Sequence, residues 1–289
     1  MPGTLWIVAT PIGTLGDMAP RAREVLGEVD MILAEDTRRA RALLSHLEVP
    51  ARGRVKSLHE HNERSRLPGL VGALSEGQSL ALISDAGTPV LSDPGYLLVR
   101  EARRMDLAVR SVPGPSSLTA ALAASGQPPL PATLCGFLPG KSGPRRRRIQ
   151  ELTACSWTLV ILLSPHRLGR EIADLADGLG EVRPATLLAE ISKLHERVTM
   201  GTLGELAVGG EVHRPRGEYV LVVGPPVTEN AGSATRPEDL RSEYDRELAG
   251  GADRREAMRT VARRFGVRRR DVYALVTGDD EPLEPDSEA

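Results

Sequence analysis

Five short stretches of this sequence set glycine, proline and ionisable or hydroxylated residues directly behind apolar runs. They are Ala9-Thr10-Pro11-Ile12-Gly13-Thr14-Leu15-Gly16-Asp17, Glu35-Asp36-Thr37-Arg38, His59-Glu60-His61-Asn62-Glu63, Ser84-Asp85-Ala86-Gly87-Thr88-Pro89 with Ser92-Asp93-Pro94-Gly95, and Pro113-Gly114-Pro115-Ser116-Ser117. Glycine lets backbone N–H and C=O groups approach a ligand that a Cβ would hold off. Beside those backbone groups stand Asp36, Arg38, Glu60, His61 and Asp85, side chains able to move a proton or hold charge. Farther on, Glu190-Ile191-Ser192-Lys193 adds an ammonium. Lys141 and Arg145, Arg146, Arg147, Arg148 form a basic run whose guanidinium forks suit phosphate.

These loops need a scaffold that brings them together. The apolar runs Leu5 to Ala9, Met31 to Ala34, Val55 to Leu58, Leu80 to Ser84 and Leu107 to Val112 read as strands. Between them Ala22, Val25, Leu26, Val29, then Ala40, Leu43, Leu44, Leu47, then Leu67, Leu70, Val71, Leu74 keep helical spacing. Strands alternating with helices predict a mostly parallel α/β sheet, and ligands of such sheets bind beyond the carboxyl ends of the strands, where the five loops fall. Asp93 before Pro94 predicts an N-cap and a first helical residue, and Asp17 or Met18 ahead of Pro20 predicts another helix start.

Strands expected near Thr133 to Phe137, Thr158 to Leu163, Ala185 to Ala189, Val198 to Met200 and Tyr219 to Val223 form a second α/β lobe. The expected organisation is a first lobe over 1–124, a second over 125–224, a linker over 225–235, and a helical module over 236–289 ending in an acidic tail. Within the module Ala257, Val261 and Ala262, then Phe265-Gly266-Val267, then Val272, Leu275 and Val276 read as helix, turn, helix, with a second Arg cluster from Arg254 to Arg270.

Composition narrows the chemistry. The 289 residues carry a net charge of -2, 40% hydrophobic and 26% charged residues, as in a globular protein in the cytoplasm. No apolar run approaches the ~20 residues that span a bilayer. Cys135 and Cys155 lie apart, outside any CxxC or His cluster, so no structural metal site is expected. Gly136-Phe137-Leu138-Pro139-Gly140-Lys141-Ser142 has three residues between its glycines where a P-loop has four, and no G-x-G-x-x-G precedes Glu35, which sets aside nucleotide hydrolysis and nicotinamide chemistry. With 3% aromatic residues, an RNA partner would be held by phosphate and shape rather than by base stacking.

Together with Val8-Ala9-Thr10-Pro11-Ile12-Gly13, Gly136-Phe137-Leu138-Pro139 and Ser164-Pro165-His166-Arg167, the five loops resemble the tetrapyrrole methylase superfamily and, within it, the ribosomal RNA small subunit methyltransferase I family. The likeness runs from residue 4 to about residue 224, and the C-terminal helices resemble that family's helix-turn-helix-like tail. Thr14, Ala40 and Leu162-Leu163 depart from it, the last standing where an aromatic-acidic pair is usual.

The resemblance implies a two-lobed tetrapyrrole-methylase-like fold: a mostly parallel N-terminal sheet, a mixed-sheet second lobe and a small helical module. It also implies S-adenosylmethionine between the lobes, a homodimer, and 2′-O-methylation of a decoding-region cytidine in 16S rRNA, within the 30S subunit. By motif, Pro11, Asp85, Ala86, Gly87, Ser116 and Ser117 would line the cofactor, with backbone from Leu163 and the stretch around Ala189 and Gly217 closing over it. The proton acceptor is left among Asp36, Glu60, His61 and Asp85, with Arg38 or Lys193 steering phosphate or developing charge. His166 and Arg167 join the basic run as RNA contacts. Two rival readings are a tetrapyrrole or precorrin methylase, which lacks a use for the basic runs, and a non-catalytic RNA-binding assembly factor.

Overall fold

The computed structural model describes residues 2–51, 53–210, 216–227, 237–265 and 269–277. The chain divides into two compact units, Met1–Pro225 and Pro226–Ala289. The first begins with β1 (Thr4–Val8), α1 (Pro20–Glu28), β2 (Met31–Ala34), α2 (Thr37–His46), β3 (Val55–Ser57), α3 (Glu63–Ser75), β4 (Leu80–Ile83), α4 (Tyr96–Arg104) and β5 (Ala108–Val112). The five strands form one sheet in the order β3-β2-β4-β1-β5, and every pairing is parallel.

Parallel strands covered on both faces read as unbroken apolar runs, and Leu80, Ala81, Leu82 and Ile83 of β4 are all buried. One face carries Ala22, Val25 and Leu26 of α1 with Ala40 and Leu44 of α2. The other carries Leu70, Val71 and Leu74 of α3 with Leu98 and Ala102 of α4. The apolar stripes expected from the sequence are therefore the packed faces.

The second sheet follows through α5 (Ser117–Ala124), β6 (Ala132–Phe137), α6 (Ser142–Leu152), β7 (Thr158–Leu163), α7 (Leu168–Leu179), β8 (Pro184–Ala189), β9 (Arg197–Thr202), α8 (Leu203–Val208) and β10 (Tyr219–Val223). Its order is β6-β7-β10-β8-β9, with β6 parallel to β7 and the other pairs antiparallel. Ile149, Leu152, Ile172, Leu175, Leu203 and Leu206 cover one face. Leu118 and Ala121 of α5 cover the other, against Val160, Leu188, Val220 and Val222. The chain thus crosses between the sheets before α5, ahead of the boundary at 124 expected from the sequence.

Helix starts depart from expectation at one place that matters for the site. Pro20 opens α1 at its first position, but the cap is Ala19, and Asp17 ends a preceding 3-10 turn. Asp93 and Pro94 do not start α4: its N-cap is Gly95, at φ 119°, and Tyr96 is the first helical residue. The donors of that helix end are met from elsewhere, because Glu63 Oε1 of α3 accepts from Leu97 N at 2.8 Å and Leu98 N at 3.2 Å. A cap reached from another helix cannot be read from local sequence.

The second unit consists of α9 (Pro237–Ala249), α10 (Arg254–Phe265) and α11 (Arg269–Thr277), packed through Leu240, Tyr244, Ala257, Val261 and Val272. Arg254, Arg255 and Arg259 stand exposed on α10. The expected turn at Gly266-Val267, the acidic tail and most of the expected linker lie outside the described residues. No helix among the described residues is long and apolar enough to cross a membrane.

Candidate active site between the two sheets

The loops at the carboxyl edge of the first sheet are tied to one another by their own polar groups. Thr10 N donates to Gly87 O at 2.9 Å and Gly87 N returns the bond to Thr10 O at 3.0 Å. The buried Thr10 hydroxyl donates to Ser84 O at 3.1 Å, and Thr88 Oγ1 donates to Pro115 O at 3.2 Å. Gly87 sits at φ 82°, and a Cβ there would meet Ile12 Cγ2 at 3.3 Å, so the turn requires glycine. The loops after β1, β4 and β5 thus act as one rigid rim.

Facing that rim is the end of the second sheet, and between them lies a cavity of about 300 Å³. Asp85, Ala86, Gly87, Ser116, Ser117, Leu163 and Gly217 line it, which brings together most of the residues expected there. Two differ. Pro11 is buried beside the cavity without lining it, and Ala189 is packed in the second lobe's core at 1% exposure. The cavity's apolar lining includes Leu118, Phe137, Leu162 and Val220, and its charged lining is Asp85, Asp93, Glu218 and Arg39.

The lobes are also locked below the cavity. Thr14 Oγ1 donates to Ser192 O at 2.5 Å, and Ser192 Oγ donates to Asp17. A Cβ on Gly13 would lie 2.6 Å from Lys193 Cγ and 2.7 Å from Ser192 O, so bare backbone is needed for the close approach.

The expected catalytic groups separate. Asp36 caps α2, accepting from Arg38 N at 2.8 Å, and its carboxylate is paired with the Arg38 guanidinium at 3.0 Å. The hydrogen bonds from Arg38 hold its pKa down to about 2, leaving it a weak proton acceptor. Arg38 itself is exposed. Glu60 and His61 are exposed and do not line the cavity. Lys193 Nζ bridges Glu190 at 3.1 Å and Glu218 at 3.2 Å. Burial works against its charge, but the two carboxylates outweigh burial and its pKa is raised, so it stays an ammonium beside the cavity wall.

Sequence reasoning missed two groups. Arg39, one turn into α2, reaches across to Asp85, Nη1 to Oδ2 3.2 Å. Asp93 is half-buried in the cavity wall, and burial first, then the neighbouring Glu35 and Asp85 carboxylates, push its pKa up to about 6. Its loop was visible in the sequence as Ser92-Asp93-Pro94-Gly95, but read as a cap.

The basic run divides by helix face. Lys141, Arg146, Arg147 and Arg148 are exposed. Arg145 corrects the expectation of a phosphate contact: it is 4% exposed, and its Nε donates to Asp174 at 2.7 Å. Ile149 and Leu152 are buried with it on one stripe of α6, at i+4 and i+7. That spacing was the available signal. His166 is exposed, and Arg167 pairs with the buried Glu171 at 2.8 Å. Arg167 and Arg170 border a second hollow of about 360 Å³ beside Ser142.

Residues 4–207 match the family model described as Tetrapyrrole (Corrin/Porphyrin) Methylases. The chain is 44% identical over 236 residues to ribosomal RNA small subunit methyltransferase I of Xylella fastidiosa (strain Temecula1), covering 81% of this chain and 86% of that one. The protein of the same name from Synechocystis sp. is 39% identical over 94% of this chain and 97% of its own. Among solved structures, diphthine synthase superimposes with a TM-score of 0.61 at 17% identity, covering 77% of this chain and 90% of that one. Uroporphyrin-III-C-methyltransferase from Thermus thermophilus gives 0.53 at 22%, covering 77% and 94%. The structural matches show the shared two-sheet fold, and the sequence matches, extending across both sheets, show that this chain belongs to the ribosomal RNA small subunit methyltransferase I family of the tetrapyrrole methylases.

Proposed function

We propose that the protein transfers the methyl group of S-adenosylmethionine to the ribose 2′-hydroxyl of a decoding-region cytidine in 16S rRNA, acting in the cytoplasm on the 30S subunit. The observation that carries the reading is the cavity itself, lined by apolar side chains together with three carboxylates, at the carboxyl end of a parallel sheet. Its lining fits the ligand: Asp85 and Glu218 suit a cationic sulfonium and ammonium, and Leu118, Leu162 and Val220 suit a flat adenine. The relatives' shared name supplies the RNA class.

When bound, S-adenosylmethionine supplies a methyl carbon already activated by its sulfonium. The protein's share is alignment and charge. The tied loops after β1, β4 and β5 fix one side of the cavity, and the Gly13–Ser192 contact fixes the other. Lys141 at the N-cap of α6 and Arg146, Arg147 and Arg148 on its exposed face, with His166 nearby in the chain, present the positive surface that would hold RNA phosphate. Exposed Val198 and Met200 on the edge strand β9 support the homodimer that belongs to this reading.

The test is methylation of 30S particles from cells lacking the protein, using radiolabelled S-adenosylmethionine and nucleoside analysis of the product. Label in 2′-O-methylcytidine at a decoding-region site is the expected outcome. Label on a base, or no incorporation, would refute the assignment.

A further inference from the structure

Three carboxylates border the cavity, and only one of them is uncommitted. Asp85 is ion-paired with Arg39, and Glu218 is ion-paired with Lys193. Asp93 has no hydrogen bond or ion pair among the described residues. A half-buried carboxylate ordinarily finds a donor, so an unpartnered one in a cavity wall calls for an explanation.

The backbone shows how it is kept that way. Val90 lies at φ 76°, Ser92 at φ 71° and Gly95 at φ 119°, three left-handed residues within six. A β-branched residue in that region is strained, and such strain concentrates where a side chain must be aimed. Gly95 is fixed by space as well, since a Cβ would fall 2.3 Å from Leu82 Cδ2. Asp93 stands where the local sequence would make it the cap of α4, yet Glu63 does that work from α3. The loop is thus bent past the capping geometry, and its carboxylate is released into the cavity.

We propose that the Asp93 carboxylate is the proton acceptor of methyl transfer, a role that rests on the proposed function. As the acceptor oxygen attacks the methyl carbon, its O–H bond breaks and the proton passes to Asp93. The new O–CH₃ bond forms from an oxygen electron pair. The C–S bond breaks with its pair retained by sulfur, which becomes a neutral thioether, and Asp93 later returns the proton to water. The charged groups facing it are Glu35 from the loop after β2, Asp85 from the loop after β4 with its partner Arg39 on α2, and Glu218 before β10 with its partner Lys193. Burial first, then Glu35 and Asp85, raise its affinity for a proton, and a base whose pKa lies near 6 is well matched to work at neutral pH. The other candidates are worse placed: Asp36 is held by Arg38, and Glu60 and His61 stand outside the cavity.

The experiment compares the full-length wild-type protein with Asp93→Asn, an isosteric change. It measures methylation of 30S particles across pH, calorimetric affinity for S-adenosylhomocysteine, and the titration of ¹³C-labelled aspartate carboxyls. Expected are a fall in kcat of at least about a hundredfold and an S-adenosylhomocysteine Kd changed less than about threefold. In the wild type, kcat/KM should rise about tenfold per pH unit up to about pH 6 and then level, and the carboxyl signal titrating near there should vanish in the variant. A rate loss under about tenfold would overturn the proposal. So would product affinity falling in parallel with rate, which would make Asp93 a ligand anchor, or the absence of any aspartate titrating above about pH 5. If the wild type itself leaves these particles unmethylated or methylates a base, the proposed function falls and this role falls with it. That result is distinct from an active wild type matched by an active variant.

Discussion

Arg145 offers a sharp separation of folding from RNA binding, because it sits in the middle of a basic run yet points inward. Its Nη2 lies 2.5 Å from Asp174 Oδ2, its Nε donates to the same oxygen, and its Nη1 donates to Gly140 O at 3.0 Å. Removing one member of a buried pair costs ~3–5 kcal/mol when the remaining charge is left alone. Asp174 keeps one partner, the largely exposed Arg146 with Nε to Oδ1 3.1 Å, so the cost falls below that range, to ~2 kcal/mol. The lost bond to Gly140 O adds ~1 kcal/mol, for a total of ~3 kcal/mol in Arg145→Ala. At ~2–4 °C per kcal/mol for a unit of this size, the midpoint should fall by ~6–12 °C. Arg147→Ala, on the exposed side of α6, should change stability by less than ~0.5 kcal/mol and flatten the salt dependence of RNA binding by ~0.7 if that phosphate contact is lost. Thermal denaturation and RNA binding against salt, run on both variants, decide the matter. An Arg145→Ala protein with an unchanged midpoint and weakened RNA binding would show that the inward ion pair does not carry the helix.

Glu63→Ala should leave the Leu97 and Leu98 amides without their acceptor, costing ~1–3 kcal/mol and speeding hydrogen exchange at those two sites, and unchanged protection there would contradict the cap. Gly13→Ala should weaken S-adenosylhomocysteine binding at least about tenfold by forcing the first loop off Ser192 and Lys193, and near wild-type affinity would mean the contact gives way freely. Asp93 binds its proton more tightly folded than unfolded, so wild-type stability relative to Asp93→Asn should fall as pH rises from ~4 to ~6 and stay level above. The shift of about two pKa units corresponds to ~3 kcal/mol unscreened, and partial exposure reduces it to ~1 kcal/mol. Unfolding midpoints of both proteins at pH 5 and pH 8 check the sign, and a wild type that gains stability relative to Asp93→Asn between pH 5 and pH 8 would refute it.

The first sheet was legible because its physics is local. Leu80 to Ile83 is an apolar run bounded by polar residues, and Ala22, Val25 and Leu26 repeat at helical spacing, so period alone placed strands and helices to within a residue or two. Strand order was not legible, since nothing in Met31–Ala34 says that it pairs with both β3 and β4. The allegiance of α5 was hidden for the same reason: Leu118 and Ala121 would suit either sheet, and only the packing against Val160 and Val220 decides. Ala189 packs its side chain into the core of the second lobe, while Tyr219, its partner across the sheet, lines the cavity. Arg145 was misread despite a usable pattern, since charge drew attention where its i+4 and i+7 partners Ile149 and Leu152 told the face.

The Asp93 loop shows why site residues are harder to read than folds. Asp-Pro is a sound local prescription for a helix start, and a chain obeying it would spend the Asp93 carboxylate on backbone donors of α4. The structure instead brings Glu63, thirty residues earlier, to 2.8 Å from Leu97 N, with the helix delayed to Tyr96 and Gly95 turned to φ 119°. The substitution places a buried carboxylate, Glu63, where donors are fixed and paired, and leaves Asp93 where burial, and then the Glu35 and Asp85 carboxylates, raise its proton affinity. Local preference is overridden at the cost of three left-handed residues, two of them not glycine. A fold with no use for a free carboxylate at this position has a simpler arrangement within reach, in which Asp93 caps its own helix. That the chain adopts the strained one ties the departure from the sequence rule to the chemistry of the cavity.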